Sequence, residues 1–520
     1  MKIGTIISML AISAAAMAQD PYLNNSAIST SDIFGTSRFV SMGAAMGALG
    51  ADISTISANP AGLGMLSKNE ITFTAGASWL GEHTVSDAQR TFVNFDQIGA
   101  VATLGGFGVF NSFNLSFNYQ NKANFNHSFF GEIYTAASWA DQLNGLADEA
   151  YDHRNSIYDN PDNYYNTLYG LADECGLFAK PIVKTSNDPN STIQRTRGSQ
   201  KSFDLNLSTN INNRAFLGLT IGLDNIELRK VTDYWEQRTA QDGEYHDFGY
   251  YNEQVLTGRG VNLKLGAIVR PFEASAFRVG LTFETPTWYN MHYVDNQSLS
   301  TKYHWDDKEK QYVYDNAPEK YYTYYVYDLT NSYINNLNYN LISPWKLRVQ
   351  AGCTHSTNFA WGVEYEYANY SATSVSYPGN YGGNVVDEDL NYQTKMHLNP
   401  QHTFRIGAEY KPKSSVSLRL GYNYITTTTS PESNWDPFFS DFTLSYPTGL
   451  DYMNLSDSHI ITCGLGYRAN WFFADLAYKY RHQTGQYYAF NDFYSYDAVM
   501  GAIPVNLSRH TINVTLGIRF

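Results

Sequence analysis

Charge is scarce in this chain. Only 16% of its 520 residues are Asp, Glu, Lys or Arg, and 35 basic residues face 49 acidic ones. The formal charge of −14 argues against a nucleic-acid partner, whose phosphates need basic patches. Cysteine is nearly missing. Cys175, Cys353 and Cys463 are an odd, widely spaced set, which excludes a disulfide framework. Cys353 and Cys463 fall in alternating apolar runs, where a thiol acts as a small hydrophobe. Long apolar runs are missing too. Past the N-terminus none approaches the roughly 18 residues that a spanning helix needs, and mean hydropathy is −0.37.

The usual signatures of chemistry are also missing. The 12 histidines show no zinc-type spacing. His397 and His402 miss the i, i+4 distance of a helical ligand pair. There is no P-loop, no dinucleotide fingerprint after a strand, and no Ser in a nucleophile elbow. No catalytic residue, metal site or cofactor is assigned, and no enzyme is expected.

Aromatics and glycine are plentiful: 42 Tyr, 39 Gly and 15% aromatic residues overall. That is too aromatic for a disordered chain. It suits a surface half in lipid and half in water.

Met1 to Ala18 reads as a secretory signal peptide. Lys2 is the charged start, Ile3 to Ala16 a short apolar stretch, and Ala16-Met17-Ala18 a small-x-small cleavage site. The mature chain then begins at Gln19. Losing Lys2 leaves 34 basic against 49 acidic residues, a charge of −15.

From residue 69 onward the dominant pattern is period-two alternation. Ile512, Val514, Leu516, Ile518 and Phe520 take one parity; Thr511, Asn513, Thr515, Gly517 and Arg519 take the other. The same reading holds for Leu217–Leu223, Val261–Ala267, Trp345–Ala351 and Val416–Tyr422. It predicts 14 strands, near 69–79, 92–103, 111–121, 200–211, 215–230, 258–271, 275–289, 345–357, 359–372, 402–410, 415–427, 458–469, 471–482 and 508–520. The gaps between them run 12, 7, 78, 3, 27, 3, 55, 1, 29, 4, 30, 1 and 25 residues. Long and short gaps alternate throughout. That is the pattern of an all-β membrane protein: an antiparallel transmembrane β-barrel with short periplasmic turns and long outer loops. An even strand count puts both termini in the periplasm. A soluble sandwich also alternates, but its outward face would carry Lys, Glu and Ser rather than Leu, Val, Phe and Tyr.

Tyr365, Tyr367, Tyr410, Tyr422, Tyr424, Tyr467, Tyr478 and Tyr480 fall on the lipid parity, mostly near strand ends. Tyrosine rings favour the headgroup level. His355, His459 and His510 are rim or lumen candidates. The terminal Phe520 resembles the signature by which outer-membrane barrels reach their insertion machinery.

Residues 19–68 do not alternate. Ser37 to Gly50 reads as a short helix with Phe39, Met42, Met46 and Leu49 on one face. Gly43, Gly47 and Gly50 form a face without side chains, at roughly 1 kcal/mol each against Ala. Such a face implies close packing against another backbone, the barrel wall being the obvious one. Pro60 then forces a turn after Asn59. The stretch Ser37 to Gly64, ending in Asn59-Pro60-Ala61-Gly62, resembles the N-terminal hatch of the FadL-type outer-membrane channels for long-chain fatty acids and aromatic hydrocarbons. Together these readings give three parts: a signal peptide over 1–18, then, as the resemblance implies for the mature chain, a hatch over 19–68 and a 14-stranded barrel over 69–520. It further implies a hydrophobic ligand that enters from outside and leaves sideways through the wall. On that reading Arg38, Phe39, Met42, Met46, Leu49, Asn59, Pro60, Ala61, Gly62, Leu63 and Met65 line the hatch and the ligand path. Gly105, Gly106 and Gly108 mark the lateral opening, because glycine weakens strands.

Two inserts depart from the family pattern. The one at 122–199 reads as an extracellular helical cap, with helix-like stretches from Glu132 to Tyr151 and Tyr164 to Phe178. The one at 290–344 reads as a long extracellular loop dense in Tyr and acids. For a carboxylate head group, Arg38, Arg348, Lys264, Arg278, Arg405 and Arg419 are available cations. The expected partners are a hydrophobic small molecule, outer-membrane lipid and the insertion machinery, for a monomer in the outer membrane. A rival reading is a docking or shuttle barrel for protein secretion, like the PorV-type members, which the aromatic and acidic outer surface would suit.

Overall fold

The computed structural model describes residues 27–29, 32–81, 91–135, 137–141, 143–144, 171–173, 175–177, 188–238, 247–273, 275–306, 311–314, 322–325, 336–356, 358–379, 382–429, 451–490 and 502–520. The expected signal peptide lies outside them. The wall is built from β1 (Glu70–Leu80), β2 (Thr91–Gly105), β3 (Phe110–Asn124), β4 (Pro189–Ile211), β5 (Ala215–Glu236) and β6 (Phe248–Val269). Next come β7, in two pieces (Phe277–Glu284 and Trp288–Thr301), and β8, also in two (Asn336–Ile342 and Lys346–His355). β9 (Phe359–Asn369), β10 (Pro400–Lys413), β11 (Val416–Ile425), β12 (Tyr452–Arg468), β13 (Phe472–Tyr488) and β14 (Ile503–Arg519) complete it. Each strand pairs antiparallel with the next. β14 returns to β1 from Glu70↔Arg519 to Leu80↔Arg509, which closes the cylinder at 14 strands.

Alternation decides which way each side chain points. On β5, Leu217, Leu219, Ile221 and Leu223 are exposed on the outer surface, while Thr220 and Asp224 are buried inside. The same oily outer parity runs through Val261, Leu263 and Leu265 on β6 and Ile512 to Ile518 on β14. In water each such side chain would forgo roughly 1.5–3 kcal/mol of burial. Acyl chains remove that cost, so the wall is a transmembrane one. Short turns sit at the end that carries the N-terminal segment and Phe520. In one of them Asn212 and Asn213 adopt φ of 51° and 55°, a left-handed pair that Asn tolerates better than most residues.

All 14 expected strands are present, but several run further than the alternation indicated. β4, β5 and β6 have 23, 22 and 22 residues. Their loop-end halves rise past the oily belt, where an outer face no longer needs to be apolar, so the sequence pattern fades. The two inserts are corrected accordingly. Residues Glu132 to Tyr134 belong to a strand, His127–Tyr134, that pairs with β4; they do not begin a helix. Within the 122–199 insert, helical geometry is confined to 139–141, 143–144 and 171–173 among the described residues, and most of the second expected helix lies outside them. The loop from 290 gives way to the upper pieces of β7 and β8. At the loop end, Trp139, Leu143, Leu171, Leu177, Tyr234, Phe248, Tyr250 and Phe490 share one buried apolar cluster, a roof with its own core.

Candidate functional site

The N-terminal segment lies inside the barrel. Its helix α1 (Ser37–Ser41) is capped by Thr36, whose side chain accepts from Phe39 N. The expected helix through residue 50 stops early, because Gly43 and Ala44 turn the backbone left-handed, at φ of 61° and 58°. Phe39, Met42, Met46 and Leu49 nevertheless share one buried cluster, so the apolar face was read correctly from a wrong geometry. Two 3₁₀ turns follow, Ile53–Ser57 and Pro60–Met65, capped by Asp52 and Asn59.

This segment is seated on glycines in the wall. A Cβ added at Gly218 would collide with the Pro60–Ala61 peptide, and one at Gly266 with Asn59 and Pro60. Added at Gly362 it would strike the Ala45 carbonyl, and at Gly407 and Gly421 the backbone of Met42 and Gly43. Glycine at these inward positions lets backbone meet backbone. From the plug's side Gly43 faces Tyr422 N and Ile406 O, as its bare face implied; Gly47 meets Gln350 and Glu364, and Gly50 meets Gly62 and Met65.

Polar bonds lock the seat. Asn59 Nδ2 donates to Gln350 Oε1 at 2.9 Å and to Ala267 O at 3.2 Å, while its Oδ1 accepts from Ala61 N. Thr462 donates to Ser41 O, and Ser37 N donates to Thr515. Leu63 packs with Ile53, Ile56, Leu66 and Val101; Ala61 packs with Phe216 and Ile268, with Met65 beside them. Gly62 sits against Thr55 and Gly50.

Most of the expected head-group cations are already engaged. Arg38 holds Glu409 at 3.2 Å and donates to Ala51 O. Arg348 bridges Glu284 and Glu366 at 2.8 and 2.6 Å, and Arg405 joins Glu364 and Glu366 at 2.6 and 3.0 Å. Arg419 links Glu409 and Asp475 at 2.7 and 2.6 Å, and Lys264 lies 3.5 Å from Asp204. Arg278 donates to Leu49 O at the lower mouth. Arg38 and Arg278 brace the plug against the wall, and the other four tie wall strands to one another.

A cavity of about 200 Å³ with a largely apolar lining lies above the plug. The strand ends around it contribute Leu80, Phe125, Leu228, Ile425, Tyr452, Met453, Leu455 and Leu507, with His127, Lys230, Asp451, Arg481 and Arg509 as polar groups. Among the described residues of the N-terminal segment only Ser29 reaches it. None of the eleven hatch residues expected along the path lines it; Phe39 borders a smaller polar cavity below, and Arg38, Leu49 and Met65 border one near the lower mouth.

Cations dominate the cavity floor. Asp32 takes Lys479 at 2.7 Å and Arg509 at 3.7 Å. Burial alone would push the Asp32 carboxyl up, but Lys479, Arg481 and Arg509 outweigh it and hold the group below its ordinary value. Arg481 itself donates to Ser458 Oγ and Gln483 Oε1, both neutral, at 3.1 and 3.2 Å. Asp32 thus faces three cations, of which Lys479 also lies near Asp96, and in the cavity lining Lys230 pairs with Asp451 at 3.0 Å. His127 is neutral, since burial, then Arg509, push it down to about 4. The alternation reading passed over Arg481 because it lies where β13 leaves the oily belt.

Strand pairing is interrupted beside this cavity. β2 and β3 pair from Gln97↔Gln120 down to Gly105↔Ser112, and no further up. Asp96 is a bulge against β1, between Thr74↔Gln97 and Ala75↔Phe95. Lys122 is the extra residue of a second bulge, between Asn121↔Lys201 and Ala123↔Gln200. Past it β3 turns inward, so that Asn124 O and Asn126 O accept from Arg509 of β14. The Asn121 side chain spans the parting by donating to Phe95 O and Asp96. Gly105, Gly106 and Gly108 occupy the opposite end, in the turn that closes the fully paired part of the hairpin.

No family model matches the sequence, and no curated protein does either. Solved structures do match. A Pseudomonas aeruginosa FadL homologue superposes with a TM-score of 0.51 at 10% identity, over 94% of this chain and 99% of that one. This chain has the fold of the FadL-type barrels. It is also similar to the Pseudomonas putida toluene transporter TodX (TM-score 0.47, 11% identity, 94% and 98% of the chains) and to the CymD monoaromatic hydrocarbon channel (0.46, 11%, 94% and 97%).

Proposed function

We propose that this FadL-type barrel admits hydrophobic small molecules across the outer membrane, passively, with release sideways between β2 and β3. The observation that carries the reading is the placement of the cavity. It lies above a plug that fills the bore, below a roof, and beside the place where β2 and β3 part. A ligand that reaches it meets backbone below and an unpaired stretch of wall at its side.

The substrate class follows from the lining. Each CH₂ taken from water into the apolar part is worth about 0.8 kcal/mol, enough to drive entry without an energy source. The surplus of cations on the floor suits a carboxylate head, with Arg481 as its anchor, so the ligand is long-chain fatty-acid-like. The plug residues Met42, Met46, Leu63 and Met65 act as the seal. Asn59, Pro60, Ala61 and Gly62 form the turn that seats it.

Uptake of a labelled long-chain fatty acid by cells lacking other such channels tests this. Arg481→Leu lowers fatty-acid uptake about tenfold, the loss of one charge-assisted hydrogen bond, and spares the methyl ester. Deleting Lys122 removes the bulge and keeps β3 alongside β2; uptake of both ligands then falls to background while the barrel still folds. Normal uptake after that deletion ends the sideways-exit reading. The docking-subunit alternative is favoured by the tall hairpin of β4, β5 and β6, which exposes Trp235 and, on the strand beside it, Phe130 and Tyr134. It predicts co-purified secreted protein and no uptake defect.

A further inference from the structure

We propose that the outer wall carries a row of three Tyr-x-Tyr/His clasps that bind the phosphate of membrane lipids in the leaflet at the loop end. The inference rests on the wall being a transmembrane one, and on three copies of one arrangement.

On β9 and β10, Tyr367 lies directly opposite His402, and the hydroxyl of Tyr365 is 2.7 Å from His402 Nδ1. On β11 and β12, Tyr424 lies opposite His459, and the Tyr422 hydroxyl is 2.8 Å from His459 Nδ1. On β13 and β14, Tyr480 lies opposite His510, and the Tyr478 hydroxyl is 2.7 Å from His510 Nδ1. Each imidazole also has the directly opposite tyrosine ring against it, at centroid distances of 5.5, 5.3 and 4.8 Å. Trp79 stacks on His510 from the other side, at 5.4 Å.

The three units share one level. Below each histidine, on the same outer parity, run exposed apolar residues: Phe404 and Ile406, Ile461 and Leu465, Ile512 and Val514. Above it come Pro400, Asp457 and Ser508. The clasps therefore sit where acyl chains end and headgroups begin, the level at which tyrosine is enriched.

Chemistry fixes what they offer. A phenol is a good donor and a poor acceptor, whereas an imidazole nitrogen without a proton is a good acceptor. The tyrosine hydroxyl therefore donates to Nδ1, and the ring proton stays on Nε2. Nε2 of these three histidines has no protein partner among the described residues. An N–H donor at headgroup level finds its strongest acceptor in a phosphate oxygen. The carboxylate nearest the row is Asp457, which accepts from the Tyr424 hydroxyl and Thr427 N. It makes the His459 unit the weakest of the three.

Native mass spectrometry of the purified full chain, titrated with phosphatidic acid or with diacylglycerol of the same acyl chains, tests the proposal. Wild type retains phosphatidic acid preferentially. The triple variant His402→Phe, His459→Phe, His510→Phe keeps aromatic bulk and loses that preference by about fivefold per site, one hydrogen bond each. Equal retention of both lipids by wild type, or an unchanged preference in the triple variant, overturns it. Nitrogen-15 NMR of labelled histidine gives a second readout that does not depend on a variant folding. The Nε2-protonated tautomer, with a shift on adding phosphatidic acid, supports the clasps; protonation at Nδ1 overturns them.

Discussion

The two halves of the barrel are built on opposite rules. The lower half is filled. Backbone of the N-terminal segment lies on glycines of β5, β6, β9, β10 and β11, and the charges beside it are paired and buried. The upper half is furnished with side chains around space: a cavity of about 200 Å³, a roof with its own apolar cluster, and two strands that part. Backbone-on-backbone contact leaves no room for a ligand and little for motion, since a close-packed interior does not deform continuously. The lower half is thus a closely seated plug with a polar cavity at its mouth, and the apolar-lined space lies above it.

The sharpest way to break this contrast is to fill the glycine seat. Gly407→Leu combined with Gly421→Leu drives side chains into the backbone of Met42 and Gly43. Overpacking costs about 1–3 kcal/mol per site even where side chains can shift, and backbone can shift less. The expected result is a barrel that loses its heat-resistant folded form on gels, or one that conducts ions freely in a planar bilayer because the stopper is displaced. Gly105→Leu is the control, because a Cβ there meets nothing within 4 Å. A sealed, heat-resistant double variant would mean that the plug is loosely held.

Buried and half-buried ion pairs give the next largest contrast. Arg348→Met leaves Glu284 and Glu366 facing one another without their shared partner, and breaking such a buried pair costs about 3–5 kcal/mol. Arg195 and Asp233, at the loop end, are each 32% exposed and pair at 2.9 Å. Arg195→Met should cost under about 1 kcal/mol. Denaturant unfolding of the purified variants measures both, and equal costs would erase the distinction between the halves.

The sequence legibility of the two halves differs for the same physical reason. In the membrane belt the outer face must be oily and the inner face polar or small, so period two exposes every strand, and also the inward charges Glu284, Arg348, Glu366, Arg405 and Arg419. Above the belt both faces meet water or the roof, so the upper parts of β4 to β8 left no alternation to read. The cavity is lined by strand ends of β1, β3 to β5 and β10 to β14, at or beyond the limit of the oily belt, which is why Arg481, Tyr452 and Leu507 went unnoticed, while Met42, Met46 and Leu63 were expected along its path and do not line it. The bare face of Gly43 did indicate a backbone neighbour. The wall glycines Gly362, Gly407 and Gly421, which meet Ala45, Met42 and Gly43, carried a signal too, glycine on the lumen parity of successive strands. The inward turn of β3 was not legible, because a bulge at Lys122 depends on register with a neighbour 79 positions on, at Lys201.

The smallest expected effect concerns acid. His127 is half-buried in the upper half, with an ordinary value of 6.5 lowered to about 4, chiefly by desolvation and then by Arg509. Between those values the unfolded chain binds a proton that the folded chain refuses. Folding stability therefore falls as pH drops from about 6.5 towards 4 and levels off below that. Asn keeps a donor for the Phe125 carbonyl, which the His127 Nδ1–H now serves at 3.0 Å, and it does not titrate. Thermal unfolding followed by tryptophan fluorescence across that range should show a shallower acid slope in His127→Asn than in wild type. The carboxylates titrate in both proteins, Asp32 against stability and Asp96, raised to about 6 by burial, in its favour as pH falls, and they cancel in the difference. Identical slopes would place His127 in contact with water, and with it would open the wall of the cavity that sets the upper half apart.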